Sequence, residues 1–132
     1  MRERNGSIFT NLYLVRHGQT QWNVEGRLQG RLDSPLTETG IKKAQRLAEQ
    51  LHGIPFQCIY SSSSHRALET ASYLKGDREI DLIPTDSLME MGFGIWEGRK
   101  WSEIQDLYPD DLLCINHHPE RYEARESQGE TL

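Results

Sequence analysis

Apolar runs separated by polar segments predict three strands. Residues 11–15 (NLYLV) form a short apolar run that ends in a charged, glycine-containing segment, which is typical of a buried strand. Residues 56–60 and 80–83 are two further apolar runs of strand length, and Pro84 closes the second of these. We therefore predict strands at these three places.

Two predicted helices, recognised by the helical spacing of their apolar residues, separate the three predicted strands. The first helix begins after Thr37 and stops before Gly53, and the second begins near His65 and ends at Gly76. We expect the serine run at residues 61–64 to cap the second helix. The apolar positions are Ile41, Ala44, Leu47, Ala48 and Leu51 in the first helix, and Ala67, Ala71 and Leu74 in the second.

The order strand–helix–strand–helix–strand predicts an α/β fold with a mostly parallel sheet flanked by helices. Residues 16–35 and 89–98 are polar or glycine-rich and are predicted to be loops. A short helix is predicted at residues 101–108, ended by Pro109. The segment 116–132 has no periodicity and resembles an unfinished tail.

Length, charge and cysteine content narrow the class of protein. The chain has 132 residues, 36% of them hydrophobic, so we expect residues 1–132 to form a single domain with a real core. A net charge of −5 argues against nucleic acid or an anionic membrane as the main partner. The apolar stretch behind the polar N-terminal segment is too short for a signal peptide or a membrane span, so we expect a cytoplasmic protein. In such a protein we expect Cys58 and Cys114 to remain unpaired.

The predicted strand ends carry a combination of side chains that suits phosphate. Arg16, His17 and Gly18 follow the first strand, Arg66 follows the second, and Glu90 follows the third after a short loop. Guanidinium groups pair with phosphate oxygens in bidentate fashion, and fixed positive charge keeps a neighbouring imidazole neutral and nucleophilic. A carboxyl group can protonate the leaving alcohol. These residues predict a phosphate-handling site.

Five sequence blocks, in order, resemble the motifs of the histidine phosphatase superfamily, the phosphoglycerate-mutase-like enzymes. They are LVRHGQT at 14–20 with WN at 22–23, RLQG at 27–30, DSPLT at 33–37 with Gly40, YSS at 60–62 leading into RALETA at 66–71, and Glu90 with GIWEG at 94–98. The resemblance spans nearly the whole chain from residue 12 to residue 98. It implies a three-layer phosphoglycerate mutase-like fold.

The resemblance also implies a role for each matching residue. His17 is the nucleophile that becomes a phosphohistidine, and Glu90 is the proton donor to the leaving group and later the base that activates water. The implied substrate-binding residues are Arg16, Asn23, Gln29, Gly30 and Arg66. No metal or other cofactor is implied, because the arginines supply the charge stabilisation. The expected partner is a small phosphorylated substrate or inorganic phosphate.

The chain departs from the family pattern downstream of residue 98. The family places a second histidine, in a Ser-His-Gly or Thr-His-Gly step, on a later strand, and this sequence has no such step. Residues 128–131 resemble a Gly-Glu-Ser step that precedes it. We therefore expect a fold that is incomplete at its C-terminus, an unpaired apolar sheet edge that promotes self-association, and reduced turnover.

Several alternatives remain open at this point. A phosphoglycerate mutase is one, although the GIWEGR run at 94–99 and the acidic stretch at 102–111 favour the phosphatase subgroup. A catalytically inert phosphate-binding or interaction module is another. Glu97 lies close to Glu90 in sequence and could be confused with it, but we expect Glu97 to cap or pair structurally. A metal site at His117, His118 and Glu120 is disfavoured, because structural zinc prefers four well-spaced ligands.

Overall fold

The computed structural model describes residues 9–131, so most of the polar N-terminal segment and Leu132 lie outside the described residues. Five α-helices and two strands are present in this range. In chain order they are α1 (Gln21–Glu25), α2 (Glu38–Gln50), β1 (Cys58–Ser62), α3 (His65–Lys75), β2 (Asp81–Thr85), α4 (Trp101–Leu107) and α5 (Pro109–His117). Single 3-10 turns occur at Asp86–Leu88, Gly94–Trp96 and Pro119–Arg121.

The two strands pair in parallel, and α3 forms the connection between them. The register runs from Cys58 opposite Asp81 to Ser62 opposite Thr85. Both strands occur where the sequence predicts them, displaced by one or two residues toward the C-terminus. Pro84 lies inside β2 instead of closing it, which is compatible with a strand at a sheet edge because proline cannot donate to a further neighbour.

The prediction of a buried strand at residues 11–15 is wrong for this structure. The segment has no strand pairing, and its apolar side chains are exposed, with Leu12 at 79% and Leu14 at 88% of their full accessible surface. A strand needs a neighbour to satisfy its backbone groups, and within residues 9–131 no strand pairs with this segment. The local pattern alone therefore does not make it a strand.

The predicted helices are confirmed, but one predicted cap is not. Thr37 caps α2, and its side-chain oxygen accepts a hydrogen bond from the Gly40 amide at 3.0 Å. Helix α3 begins at His65 as predicted, yet the side chain of Ser64 accepts no capping bond. The Asp33 carboxylate takes that role, accepting from the amides of His65 at 2.7 Å and Arg66 at 3.3 Å.

The hydrophobic core and the C-terminal segment pack together. The core cluster comprises Leu28, Trp96, Ile104 and Tyr122. The tail beyond residue 116 is therefore not an unstructured extension, and the sequence pattern also missed α5, which Pro109 starts instead of preventing. Buried Ser127 hydrogen-bonds to the Tyr122 hydroxyl at 2.7 Å. Within residues 9–131, no helix has the length and apolar character needed to cross a membrane.

We predict that Gly94→Ala lowers the free energy of unfolding by about 2 kcal/mol or more. Gly94 has a φ of 56°, and a Cβ atom there would overlap the Ser127 carbonyl oxygen, which belongs to rigid backbone. Gly53→Ala is the matched control, because a Cβ there meets no atom within 4 Å. Urea denaturation measures both changes. Equal stability of the two variants would show that the tail does not pack against residue 94.

Candidate active site

His17 follows the unpaired segment 11–15, and its neighbour Gly18 is hydrogen-bonded to α3. The Gly18 amide donates a hydrogen bond to the Thr70 hydroxyl at 2.9 Å, and that hydroxyl donates to the Arg66 carbonyl at 2.7 Å. Thr70 was given no role in the sequence analysis. Its position four residues after Arg66 puts both on one face of α3, which is a signal that the sequence does contain.

One hydrogen bond fixes the tautomer of the His17 ring. Its Nδ1 atom lies 2.8 Å from the Gly18 carbonyl oxygen. A carbonyl can only accept, so Nδ1 carries the proton and donates. In the neutral ring this leaves the lone pair on Nε2, the nitrogen that can act as a nucleophile.

A cavity of about 450 Å³ lies beside His17. Arg16, Asn23 and Thr70 contribute to its wall together with His17. Lys43 is exposed but also lines this cavity, as do Ala44 and Leu47 of α2. The wall therefore presents positive charge from two separate segments.

Arg66 is the most deeply buried charged residue of the predicted site, with 4% of its surface exposed. Its Nη1 donates to the Leu32 carbonyl at 2.9 Å and to Asp33 Oδ1 at 3.0 Å, and its Nη2 donates to the Gly30 carbonyl at 2.9 Å. These bonds use three of the five guanidinium hydrogens. Nε is buried and finds no acceptor among residues 9–131. Nε and Nη2 share one edge of the guanidinium plane, the edge that grips an oxyanion in bidentate fashion.

The surroundings of His17 favour its neutral form. Burial lowers the pKa of His17, and the positive charges of Arg66 and Arg16 lower it further. The hydrogen bond to Gly18 and the negative charge of Asp33 oppose this shift without cancelling it. The ring is thus held unprotonated at neutral pH with Nε2 available.

The predicted substrate residues Asn23, Gln29 and Gly30 are all engaged by other parts of the chain. Asn23 lines the cavity, but its side-chain oxygen also accepts from the Thr20 amide at 3.0 Å and so caps α1. Gln29 is buried, and its side-chain oxygen accepts from the hydroxyls of Thr20 at 2.9 Å and Ser34 at 3.0 Å. Gly30 is buried and presents its carbonyl to Arg66. Gln29 and Gly30 lie outside the cavity wall.

The two glutamates near residue 90 differ sharply in their environment. Glu90 is exposed, and its carboxylate accepts from the adjacent Met91 amide at 2.9 Å. Glu97 accepts from three backbone amides, as expected for a structural carboxylate. Glu90 is not among the charged groups that shift the pKa of His17. Its role as proton donor stays a prediction.

The side chains of His117, His118 and Glu120 do not form a metal site. Within residues 9–131, no group of three or more His, Cys, Asp or Glu side chains is arranged to hold a metal ion. His118 instead lies 3.7 Å from Glu120 as an exposed pair. The positive charge around His17 comes from side chains of the chain itself.

The chain combines a parallel α/β arrangement with a half-buried histidine beside cationic side chains. A model described as the histidine phosphatase superfamily, branch 1, matches residues 12–132. The chain therefore belongs to the histidine phosphatase superfamily.

Individual relatives give the same assignment. Phosphoserine phosphatase 1 of Hydrogenobacter thermophilus is 36% identical over 121 residues, covering 92% of this chain and 56% of that protein. The probable phosphoglycerate mutase GpmB of Cronobacter sakazakii is 41% identical over 124 residues, covering 92% and 55%. The solved structure of Bacillus stearothermophilus YhfR superposes with a TM-score of 0.81 at 42% identity, covering 87% and 56%. The predicted fold class is confirmed, and the chain spans about half the length of these relatives.

We predict that Asp33→Asn lowers the pKa of His17 further. The Asp33 carboxylate stabilises the imidazolium, so removing its charge leaves Arg16 and Arg66 less opposed. NMR titration of the His17 ring measures the change. Asp77→Asn is the control, because Asp77 is exposed and is not among the groups acting on His17. An unchanged or raised pKa in the Asp33 variant would contradict this electrostatic account.

Proposed function

We propose that this chain provides the catalytic centre of a metal-independent phosphomonoester hydrolase that works through a phosphohistidine on His17. The observation that carries the proposal is the neutral His17 ring, with Nε2 unprotonated beside two guanidinium charges. An imidazole in that state attacks phosphorus readily, and the guanidinium groups stabilise the charge on the transferring phosphoryl oxygens.

The proposed reaction has two steps. His17 Nε2 attacks phosphorus, the bond from phosphorus to the ester oxygen breaks, and the departing alkoxide takes a proton from Glu90. A water molecule then attacks the phosphohistidine and gives a proton to Glu90, the P–N bond breaks, and inorganic phosphate leaves. Arg16 and Arg66 grip the phosphoryl oxygens throughout. Asn23 lies on the cavity wall with Arg16 and His17 and orients the same oxygens.

A mutase reaction is the second candidate, in which an alcohol of the substrate replaces water in the second step. The name of the Cronobacter relative, a probable phosphoglycerate mutase, supports it. The segment beyond the GIWEGR run favours hydrolysis, because Glu103, Asp106, Asp110 and Asp111 make it acidic. An acidic surface disfavours a second anionic group on the substrate. We therefore place hydrolysis of small phosphate monoesters first.

We predict that His17→Ala abolishes hydrolysis of p-nitrophenyl phosphate, measured at mildly acidic pH in the presence of EDTA. The lowered pKa keeps His17 neutral into mild acid, and activity falls as the pH drops below that pKa because the ring becomes protonated. His52→Ala is the control, since His52 is exposed at the end of α2. Acid-labile, alkali-stable labelling of the parent chain by a phosphoryl donor reports the P–N bond directly.

Three results separate the candidates. Release of inorganic phosphate that survives EDTA and requires His17 supports hydrolysis. Transfer of the phosphoryl group to an added alcohol acceptor such as a glycerate supports the mutase. Phosphate binding without labelling or turnover supports an inert binding module and contradicts both enzymatic readings.

We also infer that the chain self-associates through its exposed apolar segment. Leu12 and Leu14 are almost fully exposed, and Tyr60 on β1 is 63% exposed. Apolar surface next to unpaired strand edges favours strand addition between copies. We expect sedimentation velocity to detect concentration-dependent dimers or larger species. Leu12→Ser combined with Leu14→Ser should shift the chain toward monomer, whereas Leu107→Ser on α4 should not. A parent chain that stays monomeric at all concentrations would overturn this inference.

A further inference from the structure

We propose that Glu97 is a positioning residue that orients the Arg66 guanidinium through the backbone of residues 30–32. This role rests on the proposed function, in which Arg66 binds the phosphoryl group. Glu97 does not contact Arg66 in the structure. The connection runs through the Gly30–Arg31 peptide group, which lies between the two side chains.

The first half of the connection is the Glu97 carboxylate. Its Oε1 accepts from the amides of Arg31 at 3.0 Å and Phe93 at 2.8 Å, and its Oε2 accepts from the amide of Leu32 at 3.1 Å. One carboxylate thereby joins residues 30–32 to the segment that precedes Trp96. Charge-assisted bonds of this kind are stronger than neutral ones.

The second half is the set of carbonyl groups in the same stretch of backbone. The Gly30 carbonyl, which belongs to the same peptide group as the Arg31 amide, accepts from Arg66 Nη2 at 2.9 Å. The Leu32 carbonyl accepts from Nη1 at 2.9 Å. In the trans Gly30–Arg31 peptide group the N–H and C=O point in opposite directions, so Glu97 lies on one side of that group and Arg66 on the other.

This arrangement has an electrostatic consequence. A negative charge at the N–H end of a peptide group polarises it, which strengthens its carbonyl as an acceptor for the guanidinium at the other end. With Asp33 holding Nη1 as well, the guanidinium is fixed in one orientation in which Nε finds no acceptor among residues 9–131. Glu97 therefore influences the direction in which the Nε–H bond points.

Gly30 is required for the close approach of Glu97. Its φ is 57°, and a Cβ atom there would overlap Glu97 Oε1 and crowd the carboxyl carbon. Glycine is the residue that adopts this backbone conformation without strain and leaves that space open. The glycine of the RLQG block thus has a function at its peptide group: it lets Glu97 reach the backbone that holds Arg66.

A carboxylate with a purely structural role would make the same three hydrogen bonds as Glu97, so the test needs a readout at the site itself. The His17 ring provides one, because its pKa responds to Arg66 even in the absence of substrate. Four charged groups face His17. They are Arg66 of α3, the adjacent Arg16, Asp33 of the loop at residues 30–33, and Lys43 of α2 on the cavity wall. Glu97 is not among them.

We predict that Glu97→Gln raises the pKa of His17 and weakens binding of inorganic phosphate about tenfold. The amide cannot accept from all three N–H groups, so the guanidinium loses its fixed position and its charge acts less on His17. NMR titration of His17 and phosphate titration by calorimetry measure the two effects in the full chain. Glu103→Gln is the matched control, because Glu103 also accepts from a backbone amide, that of Lys100, at the start of α4.

A double-mutant cycle distinguishes action through Arg66 from general loosening. In an Arg66→Met background, Glu97→Gln should produce no further change in the pKa of His17. If Glu97→Gln prevents folding, Glu97→Asp keeps the charge with a shorter reach and should give a smaller shift of the same sign.

Three outcomes overturn the proposal. The first is an unchanged pKa of His17 and an unchanged phosphate affinity in a folded Glu97 variant. The second is an equal change of both quantities in Glu103→Gln. The third is a change in the pKa of His17 that persists fully in the Arg66→Met background. If the parent chain does not bind phosphate, the proposed function fails, but the His17 titration still decides whether Glu97 positions Arg66.

Discussion

The burial of the Arg66 charge is the constraint on which the rest of the site depends. A guanidinium removed from water costs several kcal/mol unless its hydrogens are matched by acceptors. Here the loop at residues 30–33 provides two carbonyls and the Asp33 carboxylate. That requirement determines the path of the loop, and because Asp33 also caps α3, it fixes the helix from which Arg66 projects. The loop and the helix therefore define each other through one buried cation.

The same charge contributes to the chemistry of His17. Burial is the main cause of the lowered pKa of the ring, the positive charge of Arg66 lowers it further, and Asp33 opposes both. A nucleophilic imidazole must stay unprotonated, yet without a carboxylate partner the buried guanidinium of Arg66 would be held less firmly. The Asp33 carboxylate offsets part of the positive potential at His17, and it also anchors Arg66, which contributes to that potential.

Local features of the structure were predictable from the sequence, and features that depend on distant partners were not. The helices α2 and α3 follow from apolar periodicity and glycine stops, which act within a few residues. The cap of α3 was assigned to serine because the serine is adjacent, whereas the acceptor is Asp33, 32 residues earlier. The segment 11–15 has strand composition but needs a neighbouring strand, which composition cannot supply.

The same contrast between local features and distant contacts applies to the candidate active site. Arg16, His17 and Asn23 could be placed on one cavity wall from motif order alone, since they lie close in sequence. Spacing places Thr70 on the Arg66 face of α3, but it does not identify the partners of Thr70 and Glu97, because these are backbone groups 52 and up to 66 residues away.

Glu90 illustrates how distant contacts control a residue that the motif identifies. Its neighbour Gly92 donates its amide to the Glu130 carboxylate at 2.6 Å, and the Glu130 amide returns a bond to the Gly92 carbonyl at 2.7 Å. The Gly92 amide and the Arg31 guanidinium keep the pKa of Glu130 low, so this attachment stays charged at neutral pH. Arg31 in turn adjoins the backbone that holds Arg66. The path of the chain around Glu90 thus depends on the tail beyond residue 116, for which the sequence pattern predicts no helix or strand.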